Sequence, residues 1–203
     1  MAVLKEVMDQ HGNVVFGGNG YSEEWHRIAV EERGLLNLPT TADALPYLQS
    51  EPVKDLFAKI GVLTEKELES RYEVYSEQYI LAIDVEAKLV IDMAKTVIYP
   101  TALRYLADLS NTIGSLMDLG VELGNEQAQA IASLTQSMMD SVTKLSEAMQ
   151  QHDFGSTAEH MQHCAKVIRP LMDEVRVSVD ALEAEVADDL WPLPTYEEML
   201  FMK

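Results

Sequence analysis

The sequence predicts an all-α fold: a short-helix N-terminal cap followed by an antiparallel bundle of three long helices. Three observations predict it. Helix-forming Ala, Leu, Glu, Met and Gln are abundant in the 203 residues, while Gly and Pro number only 10 and 7. Two capping boxes, Thr64–Glu67 and Ser156–Glu159, each open a long segment. Within those segments apolar residues return every three or four positions, the spacing of a buried helix face.

Residues 1–61 read as a short-helix connector or cap. Ala2–Gln10 is a helix stopped at His11-Gly12, and Val14–Phe16 is briefly extended. Ser22 caps a helix from Glu23 to about Arg33, whose first-turn acids suit the dipole. Gly34 is placed as its left-handed stop. Thr41 and Ser50 read as caps of further short helices, with Pro46 and Pro52 in their first turns.

Residues 62–203 read as a long-helix bundle with a docked C-terminal tail. Leu68, Tyr72, Tyr75, Tyr79, Ile83, Val90, Ala94 and Val97 mark the inner face of a first helix. From Glu65 to Tyr99 it would span roughly 50 Å. Pro100 should kink or interrupt it before helix resumes through Leu119. A second helix covers Glu126–Gln151, with Ile131, Leu134, Met138, Val142, Leu145 and Met149 inward. A third runs from Thr157 to about Leu190, with Met161, Cys164, Ile168, Leu171, Val175, Leu182 and Val186 inward and a bend at Pro170. The tail Trp191–Tyr196 is stiff and must dock, and Thr195 caps a last turn through Phe201.

Composition narrows the function. Hydrophobic residues make up 47%, which marks globular material. A net charge of −19, spread along the chain, repels phosphate backbones and anionic lipid. Neither nucleic acid nor a membrane is an expected partner. The lone Cys164 allows no internal disulfide and fits a reducing cytosol. The N-terminus lacks a secretory core and no apolar run approaches the roughly 20 residues of a span, so a cytoplasmic location is expected.

Four clusters invite chemistry. Phe16–Ser22 is a glycine-rich turn at a helix N-terminus, where amides could cradle an anion. No Lys follows, and Glu23 and Glu24 would repel one, so a tight structural turn is expected. Glu23-x-x-His26 has the spacing of di-iron ligands, but the chain has one such motif where two are needed. Trp25 and His26 therefore read as packing and capping residues. His160, His163 and Cys164 lie on one helix with His152 before it, yet two imidazoles on one face make half a zinc site. Tyr72, Tyr75 and Tyr79, with Tyr47 and Arg71, could line a pocket, and read more simply as an aromatic seam. The expected catalytic, cofactor-binding and metal residues are therefore none.

Two blocks and the tail carry a family likeness. The first is Asn19-Gly20-Tyr21-Ser22-Glu23-Glu24-Trp25-His26, with Glu31–Leu38 and Thr40–Pro46 after it. The second is Leu68-Glu69-Ser70-Arg71-Tyr72-Glu73, then Glu77–Tyr79, Asp84–Ala87, Asp92–Lys95 and Tyr99-Pro100. The tail is Trp191-Pro192-Leu193-Pro194-Thr195-Tyr196. Together they resemble type III glutamine synthetase, in the region after its catalytic domain. Gln150–His163 resembles it least.

The resemblance implies a parent enzyme that joins ammonia to glutamate with ATP and a divalent metal, Mg or Mn, in large ring-shaped oligomers. The parent's metal, ATP and substrate motifs have no counterpart here. The implied fragment is inactive alone and holds no cofactor; Met1 would be an added start. Its implied partners are the catalytic domain of the parent chain and neighbouring subunits of a homo-oligomer, and its implied role is assembly or stabilisation. The residues alone leave another reading: a free-standing helical adaptor or sensor binding a partner helix or small effector.

Overall fold

The computed structural model describes residues 2–194 and 196–200, and every element among them is helical. Short helices lead into three long ones, as the pattern predicts. Helix α1 (Ala2–His11) passes into a 3₁₀ turn at Gly12–Val14. Helix α2 (Glu23–Arg27) continues as a π turn through Ile28–Glu32. Ser22 caps it, its Oγ accepting from the Trp25 N–H at 3.3 Å. Gly34 ends it at φ 65°, where only glycine is at ease.

Helix α3 (Thr41–Ala44), a 3₁₀ turn at Leu45–Gln49 and α4 (Glu51–Ile60) complete the cap. One expected cap is corrected here, and another holds the cap position without a side-chain bond. Thr40, not Thr41, has the extended backbone of a cap, and its Oγ1 accepts from the Asp43 N–H at 3.1 Å. Thr41 already lies inside the helix. Ser50 does precede α4, but its hydroxyl donates back to the Tyr47 carbonyl at 2.8 Å and caps nothing. Pro46 and Pro52 occupy first turns, as expected.

Helix α5 (Glu65–Met93) opens on a complete capping box. The Glu67 N–H donates to Thr64 Oγ1 at 3.3 Å, and the Thr64 N–H donates to Glu67 Oε2 at 2.7 Å. The carboxylate is held below its ordinary pKa, first by that backbone N–H and then by the Thr64 hydroxyl. One inward position was misassigned. Tyr75 is exposed, and Ser76 takes the buried place, its Oγ donating to the Tyr72 carbonyl at 2.6 Å.

Pro100 does not interrupt the helix. A π turn at Ala94–Ile98 precedes it, the Tyr99 N–H reaching the Ala94 carbonyl, and α6 (Tyr99–Asp118) continues. The result is a single 54-residue helix, roughly 80 Å long. The wider turn re-spaces the carbonyls so that the proline ring falls in the first turn of the next stretch. The Val97 carbonyl accepts from Thr101 Oγ1 at 2.9 Å. The same device recurs before Pro170. There α8 (Thr157–His163), a π turn at Cys164–Ile168 and α9 (Arg169–Glu185) form one run. The two sites share sequence as well: Val97-Ile98-Tyr99-Pro100 and Val167-Ile168-Arg169-Pro170.

Helix α7 (Glu126–Ala148) stops short of the expected Gln151. It packs along α9 and against α6, while α5 lies on α8 and α9. Ile98, Ile131, Met138, Val142, Leu145, Ile168, Val175 and Leu182 form the sealed core. Helix α9 ends at Glu185 rather than near Leu190, because Val186 turns extended. That turn folds the chain back, burying Trp191 and setting Leu193 on the core. The tail thus docks on this bundle. Helix α10 (Tyr196–Leu200) follows; its expected cap Thr195 and end Phe201 lie outside the described residues.

The cap meets the bundle through side-chain amides and one ion pair. Gln162 Nε2 donates to the Ala42 carbonyl at 3.1 Å, Gln49 Nε2 donates to the Leu68 carbonyl at 3.3 Å, and Lys54 pairs with Glu65 at 2.8 Å. Asp43 sits at this joint with its pKa lowered, first by the Thr40 hydroxyl at 2.6 Å and then by Gln162.

Candidate functional site

The glycine-rich turn folds into a clasp. Phe16 stacks on Trp25 with ring centroids 4.4 Å apart. The Arg33 guanidinium lies 5.2 Å from the Trp25 ring and 5.8 Å from the Phe16 ring. Its Nη1 donates to the carbonyls of Asn13, at 3.1 Å, and Val15. A Cβ at Gly18 would come within 2.6 Å of the Phe16 ring, so a side chain there would have to shift the ring on its Trp25 stack. The turn's polar groups serve the chain itself: Ser22 Oγ donates to the Asn19 carbonyl at 2.7 Å, and the Tyr21 N–H donates to Asn19 Oδ1 at 3.0 Å. Trp25 is a packing residue. His26 Nδ1 faces Glu23 at 3.7 Å across one helical turn.

The tyrosines do not gather into one pocket. Tyr75 points outward and accepts from Arg71 Nη1 at 3.2 Å. Tyr47 is exposed, whereas Tyr79 is half-buried with its hydroxyl sealed and unpaired. Burial pushes the Tyr79 phenol above its ordinary pKa, with the nearby Arg169 opposing.

The histidines do share a place. The turn between α7 and α8, the start of α8 and one flank of α5 enclose an open groove of about 570 Å³. Ile80, Met149, Cys164 and Ile168 give it an apolar floor, and Glu77, Asp84, Lys88, His152, Ser156 and His160 give it a polar rim. Phe154 organises it, stacking on His160 at 4.2 Å and tilting against His163 at 5.1 Å. Sequence reasoning missed Phe154, which lies in a turn with no periodic signal. The Ser156 box that opens α8 is reciprocal only in part. Ser156 Oγ accepts from the Glu159 N–H at 3.2 Å, but the Glu159 carboxylate accepts from the Gly155 N–H at 2.9 Å, one residue beyond the expected partner.

The chemistry of the groove follows from these contacts. His163 Nε2 lies 3.2 Å from the Ala148 carbonyl, which fixes the proton on Nε2. Burial, then the neighbouring His163, hold His160 below its ordinary pKa, so it is neutral at pH 7. Burial and the Asp84 charge push the Cys164 thiol up, the opposite of nucleophile activation. Among the described residues no three His, Cys, Asp or Glu side chains come together to hold a metal ion. The groove can stack a planar group and exchange hydrogen bonds through the His160 imidazole.

Such a fold and groove define an all-helical domain. The sequence profile described as "Glutamine synthetase C-terminal domain" matches residues 1–117, from the cap to the last turn of α6. The chain belongs to this glutamine synthetase C-terminal domain family. It is 33% identical to the type-3 glutamine synthetase of Dictyostelium discoideum over 99% of its own length and 28% of that protein's. It is 34% identical to a glutamine synthetase of Butyrivibrio fibrisolvens, over 98% of the chain and 29% of the relative. A third, from Bacteroides fragilis, is 27% identical over 99% of the chain and 29% of the relative. The chain thus spans under a third of the length of the curated relatives it matches.

Proposed function

We propose that this chain is the C-terminal accessory domain of a larger glutamine synthetase, serving its assembly or stabilisation rather than the chemical step. The observation that carries the reading is the asymmetry of the alignments, which take 98–99% of this chain but 28–29% of each relative. The domain's own chemistry is in keeping: its thiol is raised rather than activated. Helix α1 supports a contact role, because Val3, Leu4, Val7 and Met8 are all exposed and none of its residues is buried. ATP, Mg or Mn, glutamate and ammonia belong in this reading to other parts of the parent, and neighbouring subunits are partners. No helix among the described residues is long and apolar enough to cross a membrane. The lone thiol Cys164 supports a cytoplasmic setting.

The test uses the longer enzyme with and without these 203 residues. Particle mass by light scattering should fall when they are removed, and the chain alone should make no glutamine from glutamate, ammonia and MgATP. Glutamine formation by the chain alone would overturn the reading.

A second reading, a free-standing adaptor or sensor, rests on the open groove beneath Phe154. An upstream reading frame that runs into a synthetase domain removes it.

A further inference from the structure

Helix α5 has two apolar faces, and the fold uses one. Leu68, Ile83 and Ala87 are sealed in the interior. Leu81, Val85 and Leu89, spaced by four, are 62%, 55% and 55% exposed. Val85 is two residues from both Ile83 and Ala87, so it lies about 200° round the helix from each. Val85 therefore faces directly away from the core, Leu81 reaches the edge of the groove beside α8, and Val74, also exposed, prolongs the row by two turns. Exposed apolar residues scattered singly need no explanation, but an aligned row on one helix face does.

We infer that α5 pairs with α5 of a second copy of this chain, antiparallel about a two-fold axis at Val85. Two features of the stripe select this occupant. The first is its symmetry: an axis at Val85 sets Val85 on its own counterpart and Leu81 on the partner's Leu89, and the reverse. The second is the charge along one edge. Asp84 precedes the axis by one residue and Lys88 follows it by three, so the partner's Lys88 falls within about 3 Å of Asp84 along the helix axis. Within one chain Lys88 Nζ already holds Asp84 at 2.6 Å. Two copies would close a ring of four alternating charges beside the apolar row. A net charge of −19 on each copy opposes random association, which makes a locally balanced edge the favoured meeting place.

The pairing is read on the 203-residue chain itself, so its failure is distinct from failure of the accessory-domain reading, which is read on the longer enzyme. Sedimentation should give the mass of two 22.7 kDa chains at tens of micromolar. Val85→Lys should give the single-chain mass with an unchanged helical circular dichroism spectrum. Asp84→Lys should weaken the pairing about tenfold or more, and Asp84→Lys with Lys88→Asp should restore it. Val85→Cys should cross-link to itself with a short bismaleimide. Val177→Cys on α9, at a position 71% exposed, should not, and Cys164 is buried and out of reach. A single-chain mass for the unsubstituted chain at every concentration overturns the inference and leaves the stripe to another occupant. A two-chain mass unaltered by Val85→Lys overturns it equally.

Discussion

The three-helix bundle and the N-terminal clasp are held by different means. In the bundle, rows of side chains such as Ile131, Met138, Val142 and Leu145 are fully removed from water. In the clasp, two rings and one guanidinium hold the chain, and α2 contributes no buried residue. The first kind of cohesion is distributed along helices and cooperative. The second is concentrated in three side chains and local. Helix burial therefore decides whether the domain folds, and the clasp decides only how its entry segment is shaped.

The largest effect should come from breaking the bundle. Leu145→Ala removes a side chain with no solvent exposure and leaves a cavity where α7 meets its neighbours. A loss of about 3 kcal/mol is expected in urea unfolding followed by far-ultraviolet circular dichroism. Trp25→Ala should be milder, about 1–2 kcal/mol and local, through loss of the Phe16 stack and the Arg33 contact. Protease cleavage within residues 12–35 should accelerate while the unfolding midpoint of the bundle stays put. A midpoint shift as large as that of Leu145→Ala would erase the contrast between the two regions. Smaller still, Thr40→Ala should cost about 1 kcal/mol as a lost cap, whereas Thr41→Ala should cost little. The reverse order would return the cap to Thr41.

The same contrast explains what could be read from the sequence. Rows that repeat over about five turns, as from Ile131 to Met149, are legible because each position confirms the last. The glycine stop at Gly34 and the Thr64 box are legible because a backbone need selects the residue. Thr40 and Thr41 were confused because adjacent hydroxyls offer the same chemistry, and only the backbone angles choose. The sequence makes Pro100 a kink or interruption and Pro170 a bend, because a π turn has no composition signal of its own. Tyr75 was placed inward because spacings of three and four diverge over a long helix. The outward row at Leu81, Val85 and Leu89 was hidden by the inward one, since two apolar faces on one helix blur the pattern. The histidine cluster was visible, but its organising ring, Phe154, depends on a turn conformation that spacing does not encode.

The smallest effect is a pH dependence that separates groove from helix cap. Burial lowers the pKa of His160, with His163 and His152 adding to it and Asp84, which faces it from α5, opposing. The unfolded chain takes up that proton near the ordinary value of about 6.5, before the folded chain does. Stability is then complete above that value and declines as pH falls from it through the lowered folded value. Glu67 behaves differently. Its pKa is depressed by the Thr64 backbone, so its contribution is present above the unfolded carboxylate value of about 4.3 and disappears as pH falls through the folded one. The first decline begins at about pH 6.5 and the second at about pH 4.3. His160→Gln should flatten the upper decline in thermal midpoint and leave the lower one intact. The change should be slight, because the imidazole is only partly buried and solvent screens it. An upper decline that persists in His160→Gln would remove His160 as the groove's proton-sensitive group.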